Sequence, residues 1–366
     1  MTVPKSVWCE SDEHYCYEQN VTFNHWLDEK GEEAEKVIER YGFVNIAVPS
    51  KALFGGDRSA YEQELTFYRA ARMNIALGAD VFVDLWLKKN KAHFDQLVTH
   101  LKGQSVIPFV GAGVSCSSGY PGWSNHLRIH ALAAGVSNPE DLLSKGNYEK
   151  VIEEIIAING IAMFVQNIKD DFLKDPSSLE WQAAILRLCK HVVVTTNYDQ
   201  CIEKAMVRDE SCYVEPIFAA EADNQTLIAA CSNRRRALLK LHGNISSPAN
   251  CILSQEQYDR SYGRDAIDMS LPLPRKLRRL FEYSSLLFLG CGLNEDRTMR
   301  VFESVIEENS DLPQHFAIVE APIELDQLPK RNKFLADHGI TAIWYPAGEH
   351  ARVFDILNLL SEEVAD

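Results

Sequence analysis

The chain has 366 residues, of which 46% are hydrophobic and 24% charged, and a formal net charge of −15. That length exceeds one compact domain of usual size, so a large domain plus a smaller unit is expected, with the composition of a soluble globular protein. The acidic balance argues against nonspecific nucleic-acid binding, and no apolar run reaches the length of a membrane span.

The N-terminus, MTVPKSVWCESDEHYCYEQ, lacks the apolar core of a signal peptide. Nine scattered cysteines contain no CxxC pair and read as reduced thiols, which makes the cytoplasm the expected location. The two basic clusters, Arg234–Arg236 and Arg275, Lys276, Arg278, Arg279, read as solvated faces.

Residues 1–103 read as a mostly helical N-terminal region, suited to packing or oligomerisation. GEEAEKVIERYGF sets Ala34, Val37, Ile38 and Tyr41 at helical spacing and stops at Gly42. Val44–Val48 alternates and is a candidate short strand. Asp57-Arg58-Ser59 opens a long apolar and aromatic pattern that runs through residue 87. A last helix carries Phe94, Leu97, Val98 and Leu101, with Gly103 suited to its left-handed C′ position.

Residues 104–366 read as one α/β domain. Strands are expected at 105–110, 191–196, 237–242, 285–290, 315–319 and 341–345, alternating with helix-length segments. That is the pattern of a Rossmann-like, doubly wound parallel sheet. Pro108 cannot donate to a ladder and needs a position facing away from a neighbour. Residues 125–189 are too long for one crossover and predict several helices, a cap over the C-terminal edge of the sheet.

Four short motifs each follow an apolar strand: GAGVS at Gly111–Ser115, TTNYD at Thr195–Asp199, LHG at Leu241–Gly243 and GCGLNED at Gly290–Asp296. Ligands of open α/β sheets bind where strands end, so four such ends converge on one crevice. Glycine-rich turns permit backbone N–H groups to approach phosphate, and Ser115 adds a hydroxyl. Asn197 can donate and accept at once, and His242 follows its strand with Gly243 beside it. Asp199 is as well suited to capping the next helix as to touching a ligand, and Asp296 suits a helix N-terminus. Two glycine turns for a pyrophosphate and polar groups for a ribose point to NAD chemistry. The third glycine of the dinucleotide fingerprint and any phosphate-loop lysine are missing, which disfavours a standard dehydrogenase or triphosphatase. His126 and His130 share a helix face at i, i+4, but with no HExxH motif and no third ligand in sight no metal is expected.

With these four motifs the chain resembles the sirtuin-like NADases, the branch of the sirtuin superfamily found in bacterial antiphage defence, over roughly residues 104–350. The resemblance implies NAD+ as the substrate. It places Gly111, Ala112, Gly113 and Ser115 on the pyrophosphate and makes Asn197 and His242 catalytic. Thr196 and Asp199, beside Asn197, are this chain's further candidates for NAD contacts. It sets Gly290, Cys291 and Asn294 against adenosine. Pro121 and Trp123 in SGYPGW stand where sirtuin deacylases carry a Pro-Asp-Phe-Arg segment over nicotinamide. The Asp, Phe and Arg are not present in that form, which leaves Trp123 as the candidate there. Deacylases also carry a zinc module with two CxxC pairs, and this chain has none, so the hydrolase branch is the closer likeness.

The expected reaction is NAD+ glycohydrolysis to nicotinamide and ADP-ribose, with Asn197 positioning water or ribose hydroxyls. His242, near its ordinary pKa of ~6.5, would accept the proton. In an antiphage setting such depletion causes abortive infection and must be latent. A homo-oligomer and a separately encoded activator are expected, a HerA-like ring ATPase being the family-based candidate, since the chain runs only about twenty residues past its last strand with no trigger domain in view. The alternatives are an NAD-dependent protein deacylase and a module that binds NAD or ADP-ribose without cleaving it.

Overall fold

The computed structural model describes the chain apart from residues 1–10, 211–213, 222–224, 295, 310 and 366. By contacts the chain forms two compact units, residues 1–75 and 76–366, against the 103/104 division read from the sequence.

The first unit is helical, with helices Ser11–Glu18, Val21–Asp28, Glu32–Arg40, Pro49–Gly56 and the start of Arg58–Ala76. Its core joins Tyr17, Phe23, Leu27, Val37, Phe54 and Tyr61, and the rings of Phe23 and Phe54 stand edge-on to Tyr61. Ala34, Val37 and Ile38 are buried, as their spacing predicts. Val44–Val48 is not a strand. Ile46 donates to the Phe43 carbonyl in a turn, and Val44, Ile46 and Val48 all face solvent. An alternating run with no neighbouring strand to take its hydrogen bonds has nothing to hold it extended.

The long pattern after Asp57 is two helices. The first ends at Ala76, and Gly78 turns the chain with φ +81°, where a Cβ would strike the Phe82 ring. The second, Asp84–Lys102, packs in the larger unit against the last strand and the C-terminal helix. Its buried Asn90 brackets Trp344, donating to the Trp344 carbonyl at 2.9 Å and accepting from its N–H at 3.0 Å. Gly103 closes this helix at φ −71°, so the left-handed residue is Gln104, with φ +53°, one position later than expected.

The larger unit is built on seven parallel strands: β1 Val106–Val110, β2 Val192–Thr195, β3 Ile217–Phe218, β4 Ala237–Lys240, β5 Ser285–Leu289, β6 His315–Glu320 and β7 Ile340–Tyr345. Their order is β3-β4-β2-β1-β5-β6-β7, so the direction of winding reverses between β1 and β5. Strands β1, β2, β4 and β5 are buried along their whole length, which is why they read as unbroken apolar runs. Six of the seven lie where the sequence places them. The seventh, β3, is a two-residue edge strand. Pro108 is registered with Leu287 of β5, while the ladder to β2 begins only at Phe109. Between β1 and β2 lie the expected cap helices, including Trp123–Ala134, Tyr148–Asn159, Ile161–Phe172 and Glu180–Leu188.

One row of the register aligns the motifs. Val110 pairs with Thr195 and with Leu289, and Thr195 pairs with Lys240. The next residues, Gly111, Thr196, Leu241 and Gly290, therefore leave the sheet at one level, across the point where the winding reverses. Among the described residues no single helix is long and apolar enough to cross a membrane.

Candidate active site

A cleft of about 760 Å³ lies at this level, within the usual range for small-molecule sites. Every motif residue expected to act lines it except Ser115: Gly111, Ala112, Gly113, Trp123, Thr196, Asn197, Asp199, His242, Gly290, Cys291 and Asn294. Ser115 lies directly behind, as the contact between two of them. A second chamber of about 560 Å³ shares Gly113, Gly290, Cys291 and Gly292 with the first.

The glycines join strand ends before they meet any ligand. Gly111 N donates to the Leu289 carbonyl at 2.9 Å, and Gly113 N to the Gly290 carbonyl at 3.0 Å. A Cβ on Gly111 would fall 2.5 Å from the Gly290 oxygen, and one on Gly290 (φ +64°) 2.4 Å from Val114 N. Val114 N donates back to the Gly111 carbonyl, so three of the first four N–H groups of the turn serve the fold.

Beyond β2 the chain turns on Thr195, whose hydroxyl donates to the Val110 carbonyl and accepts from Asn197 N. The buried Asn197 amide is then fixed by its donors. Its Nδ2 gives one hydrogen to the Gly111 carbonyl at 3.0 Å and one to Ser115 Oγ at 2.9 Å. Because a carbonyl only accepts, the amide cannot be turned around. The result is an oxygen, Asn197 Oδ1, buried with no hydrogen-bond partner. Asn197 therefore presents an acceptor alone, where the sequence left both halves of the amide open.

Ser115 in turn donates to Asp199 Oδ2 at 2.7 Å, and Asp199 Oδ1 accepts from Cys201 N at the head of helix Cys201–Glu210. The Ser115 hydroxyl proton is thus committed to Asp199. The Asp199 carboxylate carries the turn and the helix start. Lys240, fully buried in β4, donates to the Asp199 carbonyl and to Glu203 Oε1 (2.9 Å), tying β4 to the same turn.

His242 sits among three tyrosines. Its Nε2 is 2.8 Å from the Tyr262 hydroxyl, and its ring lies edge-on to Tyr258 at 5.3 Å and tilted to Tyr198 at 6.5 Å. Burial pushes its pKa down to about 4, well below the ordinary value expected from the sequence, so the imidazole is neutral at physiological pH. Trp123 completes this wall, 5.3 Å from the Tyr198 ring and stacked on His126 at 5.2 Å.

At the other end, Arg331 donates to the carbonyls of Gly292 (2.7 Å) and Leu293 (2.8 Å) and holds the loop after β5. Asn294 packs close to Gly146 of the cap. Asp296 caps helix Arg297–Glu308 by accepting from Met299 N. The Cys291 thiol is pushed up to about 12 by burial and stays protonated.

The structure supplies the third donor that His126 and His130 lack in sequence. Asp171 Oδ2 lies 2.6 Å from His126 Nδ1 and 3.1 Å from His130 Nε2. These are hydrogen-bond separations, and the three donor atoms lie within 4.8 Å of one another, a grouping that could also hold a metal ion. The sequence reading missed Tyr258 and Tyr262, an i, i+4 pair on helix Gln255–Tyr262. Their shared face was legible, but nothing in the pattern shows that it meets a histidine across the cleft.

Comparison with known proteins places these features. A SIR2-like domain matches residues 191–343, which include TTNYD, LHG and GCGLNED but not GAGVS. NAD(+) hydrolase ThsA of Bacillus cereus is 29% identical over 63% of this chain and 48% of its own length. The ThsA of Acinetobacter baumannii is 25% identical over 63% and 45%. Defense-associated sirtuin 2 of Bacillus subtilis is 28% identical over 52% of this chain and 18% of its own length. The chain spans about half the length of the ThsA relatives it matches.

Proposed function

We propose that the chain is a member of the sirtuin-like family, on the SIR2-like domain matched at residues 191–343, and that it is an NAD+ glycohydrolase acting in antiphage defence by depleting NAD+. The observation that carries this reading is the unpartnered acceptor of Asn197 at the wall of a cleft that also holds a neutral histidine.

Nicotinamide in NAD+ is cationic and leaves neutral, so its departure needs no general acid. What the reaction needs is an acceptor near the ribosyl centre and a base for the incoming water, as in other glycosidic cleavages. In our reading Asn197 Oδ1 accepts from a nicotinamide-ribose hydroxyl or from the water. As the C1′–N bond breaks with its electron pair passing to nicotinamide, the water oxygen bonds to C1′ and its proton passes to His242. The products are nicotinamide, ADP-ribose and a proton. Trp123 and Tyr198 offer aromatic faces to the nicotinamide end, with Gly290, Cys291 and Asn294 toward adenosine. Thr196 flanks Asn197 as a contact to the ribose. For the GAGVS turn the proposal narrows to Ala112, because Gly111, Gly113 and Ser115 already serve the fold.

Unregulated turnover would exhaust a cell's NAD+. The proposal therefore includes latency, through a homo-oligomer and a separately encoded activator such as a HerA-like ATPase. Its location is the cytoplasm, in keeping with seven free thiols among the described residues.

The test is nicotinamide release from NAD+ by wild-type protein and by Asn197→Ala and His242→Ala, with molar mass read by light scattering. Turnover lost in both variants is expected. Unchanged turnover in either variant removes that residue's role, and NAD+ bound without turnover, with or without an activator, replaces the hydrolase with a binding module.

A further inference from the structure

We infer that Tyr262 is a positioning residue that fixes the tautomer of His242, leaving Nδ1 as the nitrogen that meets substrate. The consequence for turnover rests on the hydrolase reading; the tautomer does not. Tyr262 is fully buried, the last residue of its helix, and its hydroxyl is 2.8 Å from His242 Nε2 and 3.4 Å from Thr298 Oγ1. Burial holds the phenol well above its ordinary pKa, so it remains a hydroxyl with one proton to give.

That single proton decides the histidine. If it points to His242 Nε2, the neutral ring must carry its own hydrogen on Nδ1 and has no lone pair for the cleft. If it points to Thr298, the tyrosine oxygen accepts from Nε2–H, and Nδ1 is left as a base. The Thr298 hydroxyl provides the acceptor that the second arrangement requires. Tyr258, stacked on Tyr262 at 6.1 Å and edge-on to His242, keeps both rings from turning away. Because Tyr262 occupies Nε2 in either case, only Nδ1 remains for a reacting group, and only the second tautomer gives it a lone pair.

The experiment is nitrogen NMR on protein labelled at histidine, with the His242 signals assigned by their loss in His242→Ala, alongside steady-state kinetics. Wild type should show protonated Nε2 and unprotonated Nδ1. Tyr262→Phe removes one oxygen and keeps the packing, and should give mixed tautomers. Its kcat should fall about ten- to a hundredfold with KM nearly unchanged, a share of what general base catalysis supplies. Thr298→Val should shift the tautomers in the same direction. Protonated Nδ1 in wild type, or a Tyr262→Phe spectrum with the wild-type tautomer, overturns the inference. A wild-type protein that shows the expected tautomer but never releases nicotinamide leaves the inference standing and sinks the hydrolase reading instead.

Discussion

His315 makes the stability of the sheet depend on pH in a way that can be worked out. It is the first residue of β6, fully buried, with its ring stacked on Phe281 at 3.9 Å between centroids. Its Nδ1 accepts from Leu286 N at 3.2 Å, while Nε2 has no partner. Burial pushes its pKa down to about 3, against about 6.5 in an unfolded chain. For a base depressed by folding, stability is fully present above the unfolded value and is lost as pH falls, because only the unfolded chain takes up the proton. At pH 5 the loss is about 1.5 pH units at about 1.4 kcal/mol each, or about 2 kcal/mol. The perturbation is His315→Asn, whose Oδ1 can still accept from Leu286 N but which does not titrate. The variant is less stable at every pH, since it loses the stacked ring. Its stability should nonetheless fall with acid less steeply than wild type, by about 1.4 kcal/mol per pH unit between about pH 6 and 4.5. Urea unfolding at several pH values, followed by the fluorescence of buried tryptophans such as Trp344, reads this slope. Parallel slopes for the two proteins would refute the reasoning.

Three further outcomes follow from the site. Gly290→Ala, with a Cβ driven to 2.4 Å from Val114 N at φ +64°, should destabilise by about 3 kcal/mol or more and abolish NAD+ binding, read by thermal melting and calorimetry. Lys240→Met leaves Glu203 buried without its cation and should cost about 3–5 kcal/mol in denaturant unfolding; a neutral result would mean that Asn244, 3.1 Å from the same carboxylate, suffices. Cys291→Ser should release nicotinamide at close to the wild-type rate, because a thiol that stays protonated supplies no nucleophile, and a loss beyond tenfold would contradict this.

What the sequence made legible follows from how its elements are stabilised. Runs such as VIPFV and SLLFL are buried on both faces, so each declares itself without reference to its neighbours. Edge strand β3 has two half-buried residues and no such run, and Val44–Val48 shows that alternation without a pairing partner makes no strand. Asn197 and His242 were legible as polar residues at strand ends. Which half of the amide is free was not, because that depends on Gly111 and Ser115, more than eighty residues away. The lowered pKa of His242 was hidden for the same reason: its cause is burial, and the rings of Tyr198, Tyr258 and Tyr262 that surround the imidazole reach it only in the fold.

The glycine motifs change meaning once their neighbours are known. Two glycine turns read in isolation as two cradles for phosphate. In the structure each is the other's reason for being glycine, since Gly111 and Gly113 approach Gly290 too closely for a side chain on any of the three. The pair therefore first sets how closely the ends of β1 and β5 meet, and through the Gly111 carbonyl it also sets the orientation of Asn197. A substitution there would reach the Asn197 amide without touching a ligand. Conversely, the anion-binding capacity of the turn is small, so on the hydrolase reading proposed above the cleft would hold a dinucleotide chiefly by its side chains and aromatic walls. On that reading the glycines act on the chemistry by aiming an amide oxygen.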